Sequence, residues 1–216
     1  MQTNERSLQQ PEKVVAMVAL AAVFALSAGF ALGAEPKVRD RSDKADKVFL
    51  RSAVALVQDA ASGETLIAKN PGVVLPIASI TKLMTAIVIL DAGLDLEQRV
   101  VISSEDSDAL KGTRSRLRPG TVLTRDDLLL LALMSSENRA ASALARTYPG
   151  GTGPFVAAMH AKAQALGMND TRFVDASGLS SGNVSSAQDL ARLVAAAHEF
   201  PLIRRYSTRE SATVQA

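Results

Sequence analysis

The stretch from Ser79 to Leu90 constrains this chain most, because Ile80, Leu83, Met84, Ile87, Val88 and Leu90 place apolar side chains on nearly every face of a helix. A helix that is apolar all round cannot lie on a surface, so the rest of the fold has to enclose it. Gly93 is positioned to end it. With 47% hydrophobic residues in 216, the chain carries enough apolar material for one domain with a sizeable core plus appendages.

The enclosing elements are legible as short periodic segments. Ser52 to Gln58 and Thr65 to Ala68 are apolar runs separated by Asp59-Ala-Ala-Ser-Gly63, the composition of a turn between two antiparallel strands. Thr124-Arg-Asp-Asp127 reads as a capping box opening a helix through Met134, and Ala140 to Ala145 reads as helical. Pro154 to Leu166 forms a further helix closed by Gly167. Ser186-Ala-Gln-Asp189 is a second capping box, starting a helix that runs to about His198 before Pro201 interrupts it.

Residues 1–34 are expected to be a signal peptide or membrane anchor, because Val14 to Ala34 is an unbroken apolar or small run preceded by Arg6 and Lys13. Gly29, Ala31, Gly33 and Ala34 suit signal cleavage, while the length also matches the roughly 20 residues that span a bilayer. Either way the remainder is expected outside the inner membrane, in the periplasm, with the membrane touched only through this segment. Residues 35–47 are charged and lack an apolar period, so they read as a linker, and residues 48–216 as the folded part. The formal net charge of +2 gives no broad surface for nucleic acid, and the absence of cysteine excludes disulfides and thiolate metal sites.

Ser79-Ile-Thr-Lys82 sets a hydroxyl and an amine three residues apart at the head of the apolar helix, where positions i and i+3 share a face. A serine hydroxyl becomes an effective nucleophile when a base takes its proton, and lysine serves as that base only while neutral. Burial favours the neutral amine, and the helix N-terminus would favour an oxyanion. Alone, the tetrapeptide equally fits a helix cap with a lysine laid along apolar surface. Ser136-Glu-Asn138 offers a hydroxyl that can relay a proton and an amide that can bind a substrate amide, or else a polar turn between helices.

Together these segments resemble the penicillin-binding serine peptidases, whose signature is S-x-x-K, then S-x-N, then K-T-G. The resemblance extends through Leu75-Pro-Ile-Ala-Ser-Ile-Thr-Lys-Leu-Met-Thr-Ala86, Leu128 to Ala141, Leu166 to Phe173 and Gly178-Leu179, which look like the low-molecular-mass D-alanyl-D-alanine peptidases. Ser136-Glu-Asn138 is similar to the endopeptidase branch. The resemblance implies an α/β (α+β) fold of the penicillin-binding/β-lactamase-like type, an antiparallel sheet with a helical subdomain. It implies Ser79 as nucleophile, Lys82 as base, Ser136 as proton donor to the leaving amine and Asn138 as a substrate-binding residue. The implied substrates are peptidoglycan stem peptides, with β-lactam antibiotics as covalent inhibitors and no metal or organic cofactor. Carboxypeptidase action and non-catalytic binding of peptidoglycan stand as alternatives. A β-lactamase reading lacks a convincing glutamate loop, since only Glu199 and Glu210 follow Glu137.

No Lys-Thr-Gly follows Asn138; Lys162 is the one later lysine, and Lys111-Gly-Thr113 has the wrong order and place. In the family that motif lies on a late strand beside the nucleophile and supplies one oxyanion donor, a contribution of about 100 to 1,000-fold in rate. The expectation is therefore a sequence fragment or premature stop, favoured over a natural short relative that lost catalysis. Either lacks the late strands, holds only the first hairpin and the helical region, and leaves the activity of the chain as written in question. Its sheet edge would be uncovered. His160 and His198 have no partner at metal spacing, so core or surface roles are expected. Arg114, Arg116 and Arg118 read as a solvated basic loop, and Ser186 as a helix cap.

Overall fold

The computed structural model describes strand Val15–Leu20 and residues 50–215, except 109–111, 113 and 114. The rest of the apolar N-terminal run, the linker expected at 35–47 and Arg114 lie outside the described residues.

Helix α1, Thr81–Asp91, is the centre of the molecule. Met84, Ile87 and Ile89 are fully buried although they project in different directions, as its all-round apolar sequence demands. Helices α2 (Arg125–Met134), α3 (Asn138–Arg146), α4 (Thr152–Ala165) and α5 (Ala187–His198) all pack on it, and α6 (Pro201–Ser207) closes against α2 and α5. Pro201 ends α5 as expected, yet it also opens α6, because a proline ring suits the first helical turn, where no intrahelical N–H is needed. The Tyr206 hydroxyl donates to Asp126 Oδ2 at 2.6 Å and ties α6 to the start of α2.

The expected hairpin forms as β2 (Val54–Asp59) and β3 (Thr65–Lys69), with a bulge between Val57 and Gln58. The Asp59 carboxylate accepts from the backbone of Ala61 and Ser62 and so shapes the turn. The expectation of a bare hairpin needs correction. Strand β1 (Val15–Leu20) pairs antiparallel with the other edge of β2, Leu20 opposite Val54, so both edges of β2 are hydrogen-bonded. Among the described residues no helix is long and apolar enough to cross a membrane.

Two further antiparallel pairs hold the segments between helices. Strand β5 (Arg99–Val101) pairs with β6 (Val122–Thr124), and β4 (Leu75–Pro76) pairs with β7 (Val184–Ser185). Arg146 on α3 grips Asp106 with Nε on Oδ1 and Nη2 on Oδ2, each at 2.9 Å, which anchors the segment after β5 to the helical core.

The Thr124 box forms in full: its Oγ1 accepts from Asp127 N at 3.0 Å while Asp127 Oδ2 accepts from Thr124 N at 3.2 Å. The Ser186 box is half made. Ser186 accepts from Asp189 N, but the Asp189 carboxylate turns instead to Asp170 N, Thr171 Oγ1 and Arg192. Thr124→Ala is therefore expected to cost about 1 kcal/mol and to lower Tm by roughly 2–4 °C. Urea unfolding and a thermal melt check it.

Candidate active site

Ser79 does not lie in α1, as the sequence pattern predicts, but in a 3-10 turn, Ala78–Ile80, immediately before it. Ala78 has φ 47°, and Ile80 N closes the turn on Ile77 O at 3.2 Å, an i to i−3 bond, so the α-helical pattern begins only at Thr81. The consequence is that Ser79 is exposed at the positive end of α1 while Lys82, one turn on, is 2% exposed.

The Lys82 Nζ meets three oxygens: Ser177 O at 2.7 Å, Asn138 Oδ1 at 2.8 Å and Ser79 Oγ at 3.2 Å. Ser136 Oγ donates to Ser79 Oγ at 2.8 Å. The four residues singled out in the sequence are thus joined in one hydrogen-bonded chain, although Ser79 and Ser136 are 57 residues apart. Ser136 reaches inward from the link between α2 and α3 with φ 56°, a conformation uncommon for serine. Asn138 is the first residue of α3, and Glu137 caps that helix by accepting from Arg139 N.

Burial pushes the Lys82 amine down from 10.5 to about 8, against the opposing pull of the Asp175 and Glu137 carboxylates. At neutral pH the neutral fraction rises about 300-fold over that of an ordinary lysine. A neutral amine has two hydrogens and one lone pair. Ser177 O and Asn138 Oδ1 are the two shorter contacts and take the hydrogens, which leaves the lone pair facing Ser79 Oγ. The arrangement can remove a proton from Ser79 and pass one onward through Ser136.

Sequence reasoning missed the loop at 174–183. Gly178 has φ 82°, and a Cβ there would lie 1.8 Å from Ala78 O, so this loop is in backbone contact with the Ala78–Ile80 turn. Buried Asn183 locks it: Oδ1 accepts from Val174 N and Asp175 N, and Nδ2 donates to Thr81 Oγ1 and Asp175 O. The density of Asp, Ser, Gly and Asn from Asp175 to Asn183 was the available signal, but it reads as an ordinary surface loop.

The other candidates stand apart. His160 Nε2 accepts from Phe173 N at 3.0 Å, a core role, and Arg116 and Arg118 are exposed. His198 lines a cavity of about 210 Å³ between β2 and α5, with Leu56, Ala187, Ala191 and Val194; none of the four site residues lines it. Among the described residues no group of three His, Cys, Asp or Glu is placed to hold a metal ion.

Residues 41–216 match the D-alanyl-D-alanine carboxypeptidase family model, Peptidase_S11. The chain belongs to this family. It is 52% identical over 165 residues to a D-alanyl-D-alanine endopeptidase of Pseudomonas aeruginosa, covering 76% of this chain and 53% of that protein. It is 48% identical over 159 residues to a D-alanyl-D-alanine endopeptidase of Escherichia coli K12, covering 74% and 51%. The chain thus spans about half the length of these relatives. Its fold is that of the solved D-alanyl-D-alanine carboxypeptidase from Mycobacterium tuberculosis (TM-score 0.67, 34% identity, covering 74% of this chain and 61% of that one). It is likewise similar to penicillin-binding protein D2 from Listeria monocytogenes in its ampicillin-bound form (TM-score 0.67, 28% identity, covering 79% and 71%). The mixed helix-and-sheet architecture expected from the sequence is therefore the family's.

Gly178 and Gly93 give a paired test of the backbone contact. Gly93, φ 59°, has open space where a Cβ would go, so Gly93→Ala is expected to cost about 1 kcal/mol for the left-handed backbone alone. Gly178→Ala adds a collision with main chain and is expected to cost about 3 kcal/mol or more. Urea unfolding of both variants measures the difference.

Proposed function

We propose that this chain carries the acyl-transfer centre of a serine D-alanyl-D-alanine endopeptidase that opens peptidoglycan crosslinks in the periplasm. The observation that supports it is the buried Lys82 amine in contact with Ser79 Oγ, with Ser136 on the other side of that oxygen. Lys82 takes the Ser79 proton as Oγ bonds to the D-alanyl carbonyl carbon. The tetrahedral adduct collapses with cleavage of the C–N bond, and the proton reaches the departing amine through Ser136. Lys82, neutral again, takes a proton from water as its oxygen adds to the ester carbon, and Ser79 Oγ leaves with that proton passed back from Lys82. Asn138 Oδ1 accepts from the Lys82 amine, and the Asn138 side chain is assigned to hold the acyl chain's amide. The positive end of α1 favours the developing oxyanion.

Endopeptidase rather than carboxypeptidase action is favoured by the Ser136-Glu-Asn138 sequence and by the endopeptidase names of the Pseudomonas and Escherichia relatives. A β-lactam resembles the acyl-D-alanine terminus, so it is expected to acylate the same serine.

In the full translated chain, labelled penicillin is expected to form a covalent adduct that maps to Ser79 and vanishes in Ser79→Ala. The acylation rate should rise about tenfold per pH unit up to about pH 8 and then level, because the base works only when neutral and its pKa is about 8. Crosslinked dimers of stem peptides should be cut to monomers. A parent chain that takes no label at Ser79 contradicts the proposal, and release of free D-alanine without crosslink cleavage assigns the carboxypeptidase reaction instead.

A further inference from the structure

Asp175 belongs to none of the motifs that define the site, yet four donors converge on its carboxylate. Its Oδ1 accepts from Gly178 N at 2.6 Å, Ser177 N at 2.7 Å and Ser177 Oγ at 2.9 Å, and its Oδ2 accepts from Ser180 N at 2.8 Å. These bonds close a tight turn, and both central residues of the turn touch the site. The Ser177 carbonyl receives Lys82 Nζ at 2.7 Å, and Gly178 lies against the Ala78–Ser79 peptide with no room for a Cβ. The outer side of the loop cannot relax to compensate, because Asn183 O accepts from Ile77 N and the Asn183 side chain holds Val174, Asp175 and Thr81. Thr85 Oγ1 adds a bond to Ala176 O at 2.7 Å. A shift of the turn would therefore move the acceptor of the Lys82 amine and the support of the nucleophile together.

We infer that Asp175 is a positioning residue of this centre, acting through the Ser177–Gly178 turn to hold the Lys82 amine and the Ser79 backbone in register. The inference rests on the acyl-transfer reading above for its effect on rate, and on the hydrogen bonds of the turn for its hold on the Lys82 amine. A turn of this kind needs only neutral acceptors to close. The carboxylate adds a charge, and the charged groups that act on Lys82 are Asp175 from this loop and Glu137 at the start of α3, both pulling its pKa up against burial.

Two variants and two readouts test this in the full translated chain. Asp175→Ala removes all four acceptor contacts, and acylation by labelled penicillin is expected to fall on the order of 100-fold, the penalty of displacing a reacting group by about 1 Å. Asp175→Asn keeps an acceptor oxygen for the turn and removes the charge. It should recover most of the plateau rate, while the acid limb of the pH profile moves to lower pH, because a charge that raises the Lys82 pKa has gone. An NMR titration of the Lys82 Cε needs no substrate and should show the same fall in midpoint. An Asp175→Ala chain that acylates within a few-fold of Asp175→Asn and shares its Lys82 midpoint overturns the inference, because loss of the turn contacts then moves nothing that loss of the charge does not. If the parent takes no label, the acyl-transfer reading fails by itself, and a Lys82 midpoint that differs between Asp175→Ala and Asp175→Asn upholds the assignment of Asp175, because the two variants differ in the turn and not in the charge.

Discussion

The structure depends on one costly placement: a lysine amine taken out of water and given a fixed set of oxygens. An unpaired ammonium in such a position would cost several kcal/mol, so Lys82 is tolerable only because Ser177 O and Asn138 Oδ1 are already in place and because the amine can shed its proton near pH 8. The same two facts make it useful. A buried amine satisfied by two oxygens, with Ser79 Oγ as its third and longest contact at 3.2 Å, has the geometry the proposed base requires.

The three partners of that amine come from three parts of the chain, and the fold is what brings them together. Ser79 arrives on the turn before α1, Asn138 on the first residue of α3, and Ser177 on a loop ahead of β7. The short β4–β7 pair aligns the first and third of these, with Leu75 opposite Ser185, and the Asn183 side chain reaches Thr81. Ala78, Ser136 and Gly178 all have positive φ at this junction. Two of the three are not glycine, and such residues persist only where surrounding contacts overdetermine them. Here the strain falls next to Ser79 Oγ, where packing against α1 and the Asn183 network supplies those contacts.

What the sequence made legible was whatever local patterning controls. The all-round apolar character of residues 80–90 placed α1 at the centre, the Thr124 box appeared in full, and the spacing of Ser79 and Lys82 put hydroxyl and amine side by side. What it hid was set by contacts between distant segments. Nothing local in Asp175 to Asn183 reveals that its carbonyls face Lys82 and Thr85, because an Asp-Ser-Gly-Asn loop looks the same whether it meets solvent or a buried amine. Asp189 illustrates the same limit: its sequence position asks for a reciprocal cap, and the tertiary neighbours Asp170 and Thr171 take its carboxylate instead. The turn before α1 was hidden in the same way: left-handed Ala78 packs its carbonyl against Gly178, a contact across 100 residues where a Cβ has no room.

Neutron diffraction of the deuterated protein at about pH 9.5, above the Lys82 pKa of about 8, observes directly where the two hydrogens and the lone pair of the neutral amine sit. The account predicts two deuterons on Lys82 Nζ, one aimed at Ser177 O and one at Asn138 Oδ1, with the Ser79 deuteron pointing at Nζ. Three deuterons on Nζ at that pH, with Ser79 donating elsewhere, would contradict it.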